Sequence, residues 1–179
     1  MTDAGPPGVS APHPNVARVL AMASERGLEV EIRRFPEGTH TAADAARAVG
    51  CSVAQIVKSL VFVAGGTPVL VLVSGADRVD PERLSTAVAE SPSDPFPPIR
   101  RATADEAREA TGSSIGGIPP LGHPRPIAVF LDESLLGHDV VWAAAGLPDA
   151  VFSTAPEALA RAAGARIVAI AVRADPSGP

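Results

Sequence analysis

The sequence predicts an α+β domain with a mixed, largely antiparallel sheet surrounded by helices. Two β-branched apolar runs, at 56–63 and 69–74, flank an Ala-Gly-Gly-Thr-Pro turn and read as a hairpin buried on both faces. Helix starts with a capping residue recur at Thr41, Asp80, Thr103 and Thr154, so helices and strands are interspersed. Their order lacks strict β-α-β alternation, which argues against a doubly wound parallel sheet.

Taken in order, residues 1–14 read as a flexible Pro/Gly/Ala-rich tail, 15–174 as one domain, and 175–179 as a second tail. Asn15 is positioned to cap a helix to about Arg26, with Val16, Val19, Leu20 and Ala23 on one face and Gly27 as its stop. The alternation over 30–35 predicts a strand with one wet face. Thr41 and Asp44 form a capping-box start for a helix ending near Gly50, and 52–55 is a short helical turn. After the hairpin, Asp80-Pro81 begins a helix, 91–98 is a proline-rich loop, and Thr103 with Glu106 begins another helix. Strands are expected at 127–131, 139–143, 151–152 and 167–172, with a helix from Thr154 to Gly164 before the last.

Composition narrows the functions available. With 179 residues and 46% hydrophobic residues, the chain can bury a sizeable core rather than remain disordered. Five Phe, one Trp and no Tyr leave little for a stacked aromatic nucleic-acid platform. The net charge of −5 argues against gripping a polyanion over a wide area, though a local basic pocket is compatible with it. A single cysteine, Cys51, precludes an internal disulfide or a cysteine zinc cluster. No signal pattern or membrane-length apolar run is present, so a cytoplasmic location with no membrane partner is the expectation.

Several residues could carry chemistry. Lys58 lies inside an apolar run, either as an end-of-strand lysine whose ammonium reaches water or as a pocket cation suited to a phosphate or ester carbonyl. The stretch 111–123 holds four glycines and the pair Pro119-Pro120, a loop of fixed shape with exposed peptide groups. Asp132 at a strand end either faces a site or caps the next turn. The histidines show no ligand spacing, so no metal is expected; His13 belongs to the tail and His138 to a surface turn. Cys51 has no base beside it and reads as an inert thiol. Ser113-Ser114 lack a nucleophile elbow, and the glycines of the loop lack the Lys-Ser/Thr of a P-loop.

Taken together, Gly38-Thr-His-Thr-Ala-Ala-Asp44, Gln55-Ile-Val-Lys58-Ser59, Gly116-Gly-Ile-Pro-Pro120-Leu-Gly-His123 and Val129-Phe-Leu-Asp132-Glu133 resemble, in order and spacing, the YbaK/prolyl-tRNA synthetase-associated domain. These are editing deacylases for mischarged tRNA. The resemblance implies a mixed sheet ringed by helices, hydrolysis of an aminoacyl ester at the acceptor end of a tRNA, and no metal or cofactor. It implies catalytic roles for Lys58, Gly116 and Gly117. It implies substrate contacts at His40, Ser59, Ile118, Pro119, Pro120, His123 and Asp132. Pro119 and Pro120 have no N–H, so Gly117 is the expected donor to the ester oxygen, with Gly116 and Ile118 beside it.

The sequence departs from the family pattern where some members place a polar residue or a pocket Tyr; here Ala143, Ala144, Ala145 and Ala150 are apolar. A small apolar pocket suits Ala, Ser or Cys, with tRNA-Pro among the candidate carriers. A non-catalytic aminoacyl-tRNA or synthetase-binding module of the same fold is the alternative, and hydrolysis of a small non-tRNA ester a third. Lys58, Arg78, Arg100, Arg101 and Arg125 are the expected basic contacts to RNA. The negative net charge implies recognition of the acceptor end alone, or work beside a synthetase that holds the rest.

Overall fold

A computed structural model of the chain describes residues 12–35, 41–89 and 97–173. The first half forms α1 (Pro14–Glu25), β1 (Arg33–Arg34), α2 (Ala42–Val49), β2 (Val57–Ala64), β3 (Thr67–Ser74), β4 (Asp77–Val79) and α3 (Pro81–Val88). The second half forms β5 (Ile99–Arg101), α4 (Ala104–Thr111), β6 (Ala128–Asp132), β7 (Val141–Ala144), β8 (Ala150–Thr154), α5 (Pro156–Ala163), β9 (Arg166–Val168) and β10 (Ala171–Arg173). Short 3-10 turns occupy Val53–Gln55 and Glu133–Gly137.

The predicted hairpin is the centre of a five-stranded sheet in the order β5-β2-β3-β6-β9. β5, β2 and β3 are antiparallel, whereas β6 and β9 join in parallel. The parallel pairs need crossovers, which are supplied by the segments holding α3 and α4, then β7, β8 and α5. A second sheet, β1-β8-β7, and a two-stranded β10-β4 pair complete the mixed architecture. Alternation on β2 separates two cores. Val57 and Val61 join the larger one with α1, α5, β7 and β8, while Phe62 and Ala64 face Leu84 and Ile170. A third cluster packs Ala45 and Ala46 of α2 on Ile56, Trp142 and Val151.

Local signals explain most helix ends. Thr41 with Asp44 and Thr103 with Glu106 form reciprocal capping boxes, and Asp80 accepts from the N–H groups of Glu82 and Arg83. Two starts differ from expectation. α1 begins at Pro14, inside the segment assigned to the tail, because His13 is its cap and its Nδ1 accepts from the Asn15 N–H at 3.2 Å. α5 follows Ala155 with no side-chain cap, and Pro156 sets its first turn; Thr154 stays in β8 instead. Cys51 is half-buried, its Sγ 3.3 Å from the Ser52 carbonyl, and burial raises its pKa, as suits an inert thiol.

The strand expected over 167–172 is broken, and its two halves serve different sheets. Asp132 makes the break possible. Its carboxylate is buried at the end of β6, with Oδ2 accepting from the N–H groups of Ile170 and Ala171, both at 2.8 Å. Oδ1 accepts from the Ser134 N–H at 3.0 Å and caps the turn that follows. One side chain thus satisfies three backbone donors where the ladder is interrupted. Asp132→Ala, which leaves the Ile170 N–H buried and unpaired, is expected to lower unfolding free energy by about 3 kcal/mol. Urea denaturation checks this, and a loss below about 0.5 kcal/mol contradicts the assigned role.

One edge of β2 is only half covered. β5 pairs with β2 from Phe62 to Ala64, and the Ala102 N–H reaches the Val61 carbonyl at 3.0 Å. Towards the start of β2 the same edge meets only a single bridge, Ile56 to Trp142, among the described residues. Backbone groups of alternate residues point to the same edge, so Ser59 presents its N–H and C=O to this gap.

Candidate functional site

The gap opens into a cavity of about 300 Å³. α2 contributes Ala42, Ala45 and Val49; β7 and β8 contribute Trp142, Ala143, Ala144 and Val151; the glycine loop closes it with Ile115, Gly116 and Ile118. Thr41, Lys58 and Ser59 supply the polar side chains of its lining. A wider cleft of about 440 Å³ lies beside Arg100, Glu106, Glu109 and Arg125, but these charges pair with one another. The smaller cavity is the better candidate, because its walls are apolar and the buried Ser59 hydroxyl in its lining has no hydrogen-bond partner among the described residues.

Lys58 sits half-buried on β2, and its Nζ donates to the Asp77 carbonyl on β4. Burial lowers its pKa from the ordinary lysine value; the Asp77 carboxylate opposes that shift, and Arg101 and Arg78 add to it. Next to it, the Ser59 hydroxyl is buried and has no hydrogen-bond partner. A hydroxyl in that position is costly unless something enters the cavity to meet it. Trp142 forms the opposite wall, with the Arg33 guanidinium 5.0 Å from its ring centroid.

The loop differs from expectation in which N–H it offers. The Gly117 N–H donates to the Ser114 carbonyl at 3.0 Å and so closes a turn. Gly116, at φ +90°, and Ile118 line the cavity, and neither donates its N–H to a partner among the described residues. The donor anticipated at Gly117 is thus already engaged, whereas the N–H groups on either side of it have no partner among the described residues. Gly117 has another reason to be glycine. A Cβ there would lie 2.7 Å from the Leu147 carbonyl carbon and 2.8 Å from the Pro148 nitrogen.

α1 holds the other side of this loop. Asn15 donates from Nδ2 to the Gly146 carbonyl at 3.1 Å, and Arg18 donates to Asn15 Oδ1 at 2.6 Å. The backbone of Gly122, at φ +82°, lies so close to α1 that a Cβ would come within 3.0 Å of the Arg18 carbonyl. Asn15, read as a helix cap, is therefore a loop brace, and Arg18 went unnoticed because the Gly146 and Gly122 contacts of this pair are distant in sequence.

The remaining predicted residues divide. Lys58, Ser59, Gly116 and Ile118 come together at the cavity. Pro119 and Pro120 are buried behind it. His123 braces them, with Nε2 2.8 Å from the Pro119 carbonyl; since that oxygen only accepts, Nε2 carries the proton in the neutral ring. Asp132 lies away from the lining, engaged with backbone as described. His40 lies outside the described residues. Of the alanines, Ala143 and Ala144 line the cavity, while Ala145 and Ala150 are packed in the core. Among the described residues, no three of His, Cys, Asp and Glu converge as a metal site would require. Nor is any described helix long and apolar enough to cross a membrane.

Burial is the first cause of a lowered pKa at His123, opposed by the Pro119 bond and reinforced by Arg18. The folded state therefore binds fewer protons than the unfolded state just below the ordinary value of 6.5. Stability contributed here is present above that pH and is lost as pH falls towards the folded-state pKa. The stability advantage of wild type over His123→Gln is expected to shrink between about pH 7 and 5; a pH-independent difference contradicts this. At Gly117, alanine is expected to cost about 2 kcal/mol through the Leu147–Pro148 clash. Gly116→Ala, strained only by its φ, should cost about 1 kcal/mol. Denaturation of both variants checks the order.

A model of the aminoacyl-tRNA editing domain matches residues 36–162. The chain is 28% identical over 132 residues to the uncharacterized protein YwhH of Bacillus subtilis (strain 168), covering 73% of this chain and 80% of that one. It is 30% identical over 127 residues to the proline–tRNA ligase of Nitratidesulfovibrio vulgaris (strain DP4), covering 70% of this chain but 21% of the ligase. The chain thus spans about a fifth of that enzyme's length. Among solved structures, a candidate trans-editing enzyme for prolyl tRNA synthetase superposes with a TM-score of 0.80 at 42% identity, covering 89% of this chain and 98% of the other.

Proposed function

Because the chain belongs to the aminoacyl-tRNA editing domain family, we propose that it is a trans-editing deacylase that hydrolyses the ester joining a wrong, small amino acid to the 3′ terminal adenosine of a tRNA. The observation that carries this reading is the conjunction at one cavity of the Gly116 and Ile118 N–H groups and the Ser59 hydroxyl, all without a partner among the described residues, with the Lys58 ammonium. The prolyl trans-editing neighbour and the ligase relatives support tRNA-Pro as the carrier. The apolar wall of Ala45, Trp142, Ala143 and Val151 suits a side chain the size of Ala, Ser or Cys. This reading places the protein with aminoacyl-tRNA in the cytoplasm, alone or beside a synthetase.

The reaction asks little of the side chains. Water adds to the ester carbonyl carbon, negative charge develops on the carbonyl oxygen, and the bond from that carbon to the ribose oxygen breaks. The N–H groups of Gly116 and Ile118 stabilise the developing charge, an effect worth about 10²- to 10³-fold per well-placed donor. The substrate's vicinal ribose hydroxyl or its own amine relays the water proton to the leaving ribose oxygen. Lys58 orients the ribose or the terminal phosphate. Proximity in an apolar cavity supplies much of the rest, since an aminoacyl ester is already activated. The reading calls on no metal or cofactor.

A non-catalytic binding module is the second reading, favoured by Ala143 and Ala144, which offer no base to the cavity. Deacylation of a panel of mischarged tRNAs separates the two: release of one small amino acid supports the deacylase, and binding without release supports the module. Turnover of small esters with no dependence on tRNA would instead favour a general esterase. Lys58→Ala is expected to lower kcat/KM by about 100-fold, and activity equal to wild type would remove Lys58 from the mechanism.

A further inference from the structure

The arginines expected to touch RNA fall into two groups. Arg100 makes a two-pronged ion pair with Glu106, at 2.7 and 2.8 Å, and Arg125 pairs with Glu109 at 3.3 Å. Both are at the cleft away from the cavity. Arg78 and Arg101 are exposed, and neither side chain has a carboxylate or hydrogen-bond partner among the described residues. Their positions relate to Lys58. The Lys58 bond to the Asp77 carbonyl ties the open stretch of β2 to β4, where Arg78 is the next residue. Arg101 lies over the Phe62 ring at 5.3 Å, and Phe62 shares a face of β2 with Lys58, about 13 Å along the strand. The electrostatic influence of both arginines on Lys58 agrees with this grouping. Among the described residues, the Asp77 carboxylate, which accepts from the Ser134 hydroxyl at 3.3 Å, is the acidic group that acts on Lys58.

We infer that Arg78, Lys58 and Arg101 form a phosphate track for the single-stranded 3′ end of an RNA, crossing the face of β2 that carries Phe62 and Lys58 and reaching the cavity at Lys58. The inference rests on the deacylase reading for its direction, since Lys58 and Leu60 line the cavity at one end of the track. Unpaired guanidiniums suit phosphates better than paired ones, because no existing ion pair has to be broken. The stacking of Arg101 on Phe62 also pre-orients it. A chain with net charge −5 must concentrate its attraction for RNA, and a short track beside the cavity does so.

The test is binding, measured separately from hydrolysis, with a fluorescent uncharged RNA hairpin ending in an unpaired ACCA. Arg78→Ala and Arg101→Ala are each expected to weaken it about 3- to 10-fold at low salt and reduce the slope of log affinity against log salt by about 0.7. Arg125→Ala should leave both unchanged, and Arg78→Lys and Arg101→Lys should retain most of the slope. The inference is overturned by unchanged binding in Arg78→Ala and Arg101→Ala, by an equal loss in Arg125→Ala, or by equal affinity for a hairpin lacking the overhang. Hydrolysis of the panel of mischarged tRNAs by wild type is read in parallel. Its absence, with RNA binding still dependent on Arg78 and Arg101, would refute the deacylase reading and leave the track standing.

Discussion

The close approach of the glycine loop to two pieces of backbone is the constraint on which the site depends. On one side, Gly117 touches Leu147 and Pro148 with no room for a Cβ. On the other, Gly122 rests on the carbonyl of Arg18, and Gly146 abuts Asn15. Between these contacts, Pro119 and Pro120 remove two torsional freedoms, and His123 fastens the carbonyl of Pro119. The loop is therefore held by backbone contacts on both flanks. That is how its free N–H groups can be fixed relative to β2 without a long side chain reaching across the cavity.

β2 supplies the complementary half. Full pairing on both edges would consume the backbone groups of Ser59, whereas no pairing would leave the strand without a register. β3 fixes the register along its whole length, and β5 stops short, leaving the first residues open. Lys58 uses that opening. An ammonium at half burial is disfavoured by desolvation, and the Asp77 carbonyl only partly compensates, as the direction of its pKa shift indicates. Such a group gains from an arriving phosphate or ribose more than a fully solvated lysine would.

What could be read from the sequence was what depends on near neighbours. The boxes at Thr41 and Thr103, the hairpin, the mixed sheet and the family resemblance all rest on residues a few positions apart or on ordered motifs, and the fold agrees with them. Lys58 stood out because its charge conflicts with an apolar run, Ser59 entered through the family resemblance, and both line the cavity. Most of the misses at the site are distant contacts. Nothing beside Asp132 announces that its carboxylate meets Ile170, 38 positions on. The partners of Arg100 and Arg125 and the freedom of Arg78 and Arg101 emerge only once strands are placed side by side. The Gly117 N–H was misassigned because counting donors in a loop cannot show which of them a turn has already taken.

The broken last strand has a kinetic consequence. β9 covers the edge of β6, and β10 covers β4, so residues 166–173 complete two sheets at once. During synthesis the chain up to α5 would carry both edges bare, including the apolar β6. Local elements such as the β2–β3 hairpin can form early, but the parallel pairing of β6 with β9 waits until β7, β8 and α5 have been made. A nascent chain paused before Arg166 would thus expose a β edge and an unclosed core, the state in which chaperone capture or misassociation competes with folding.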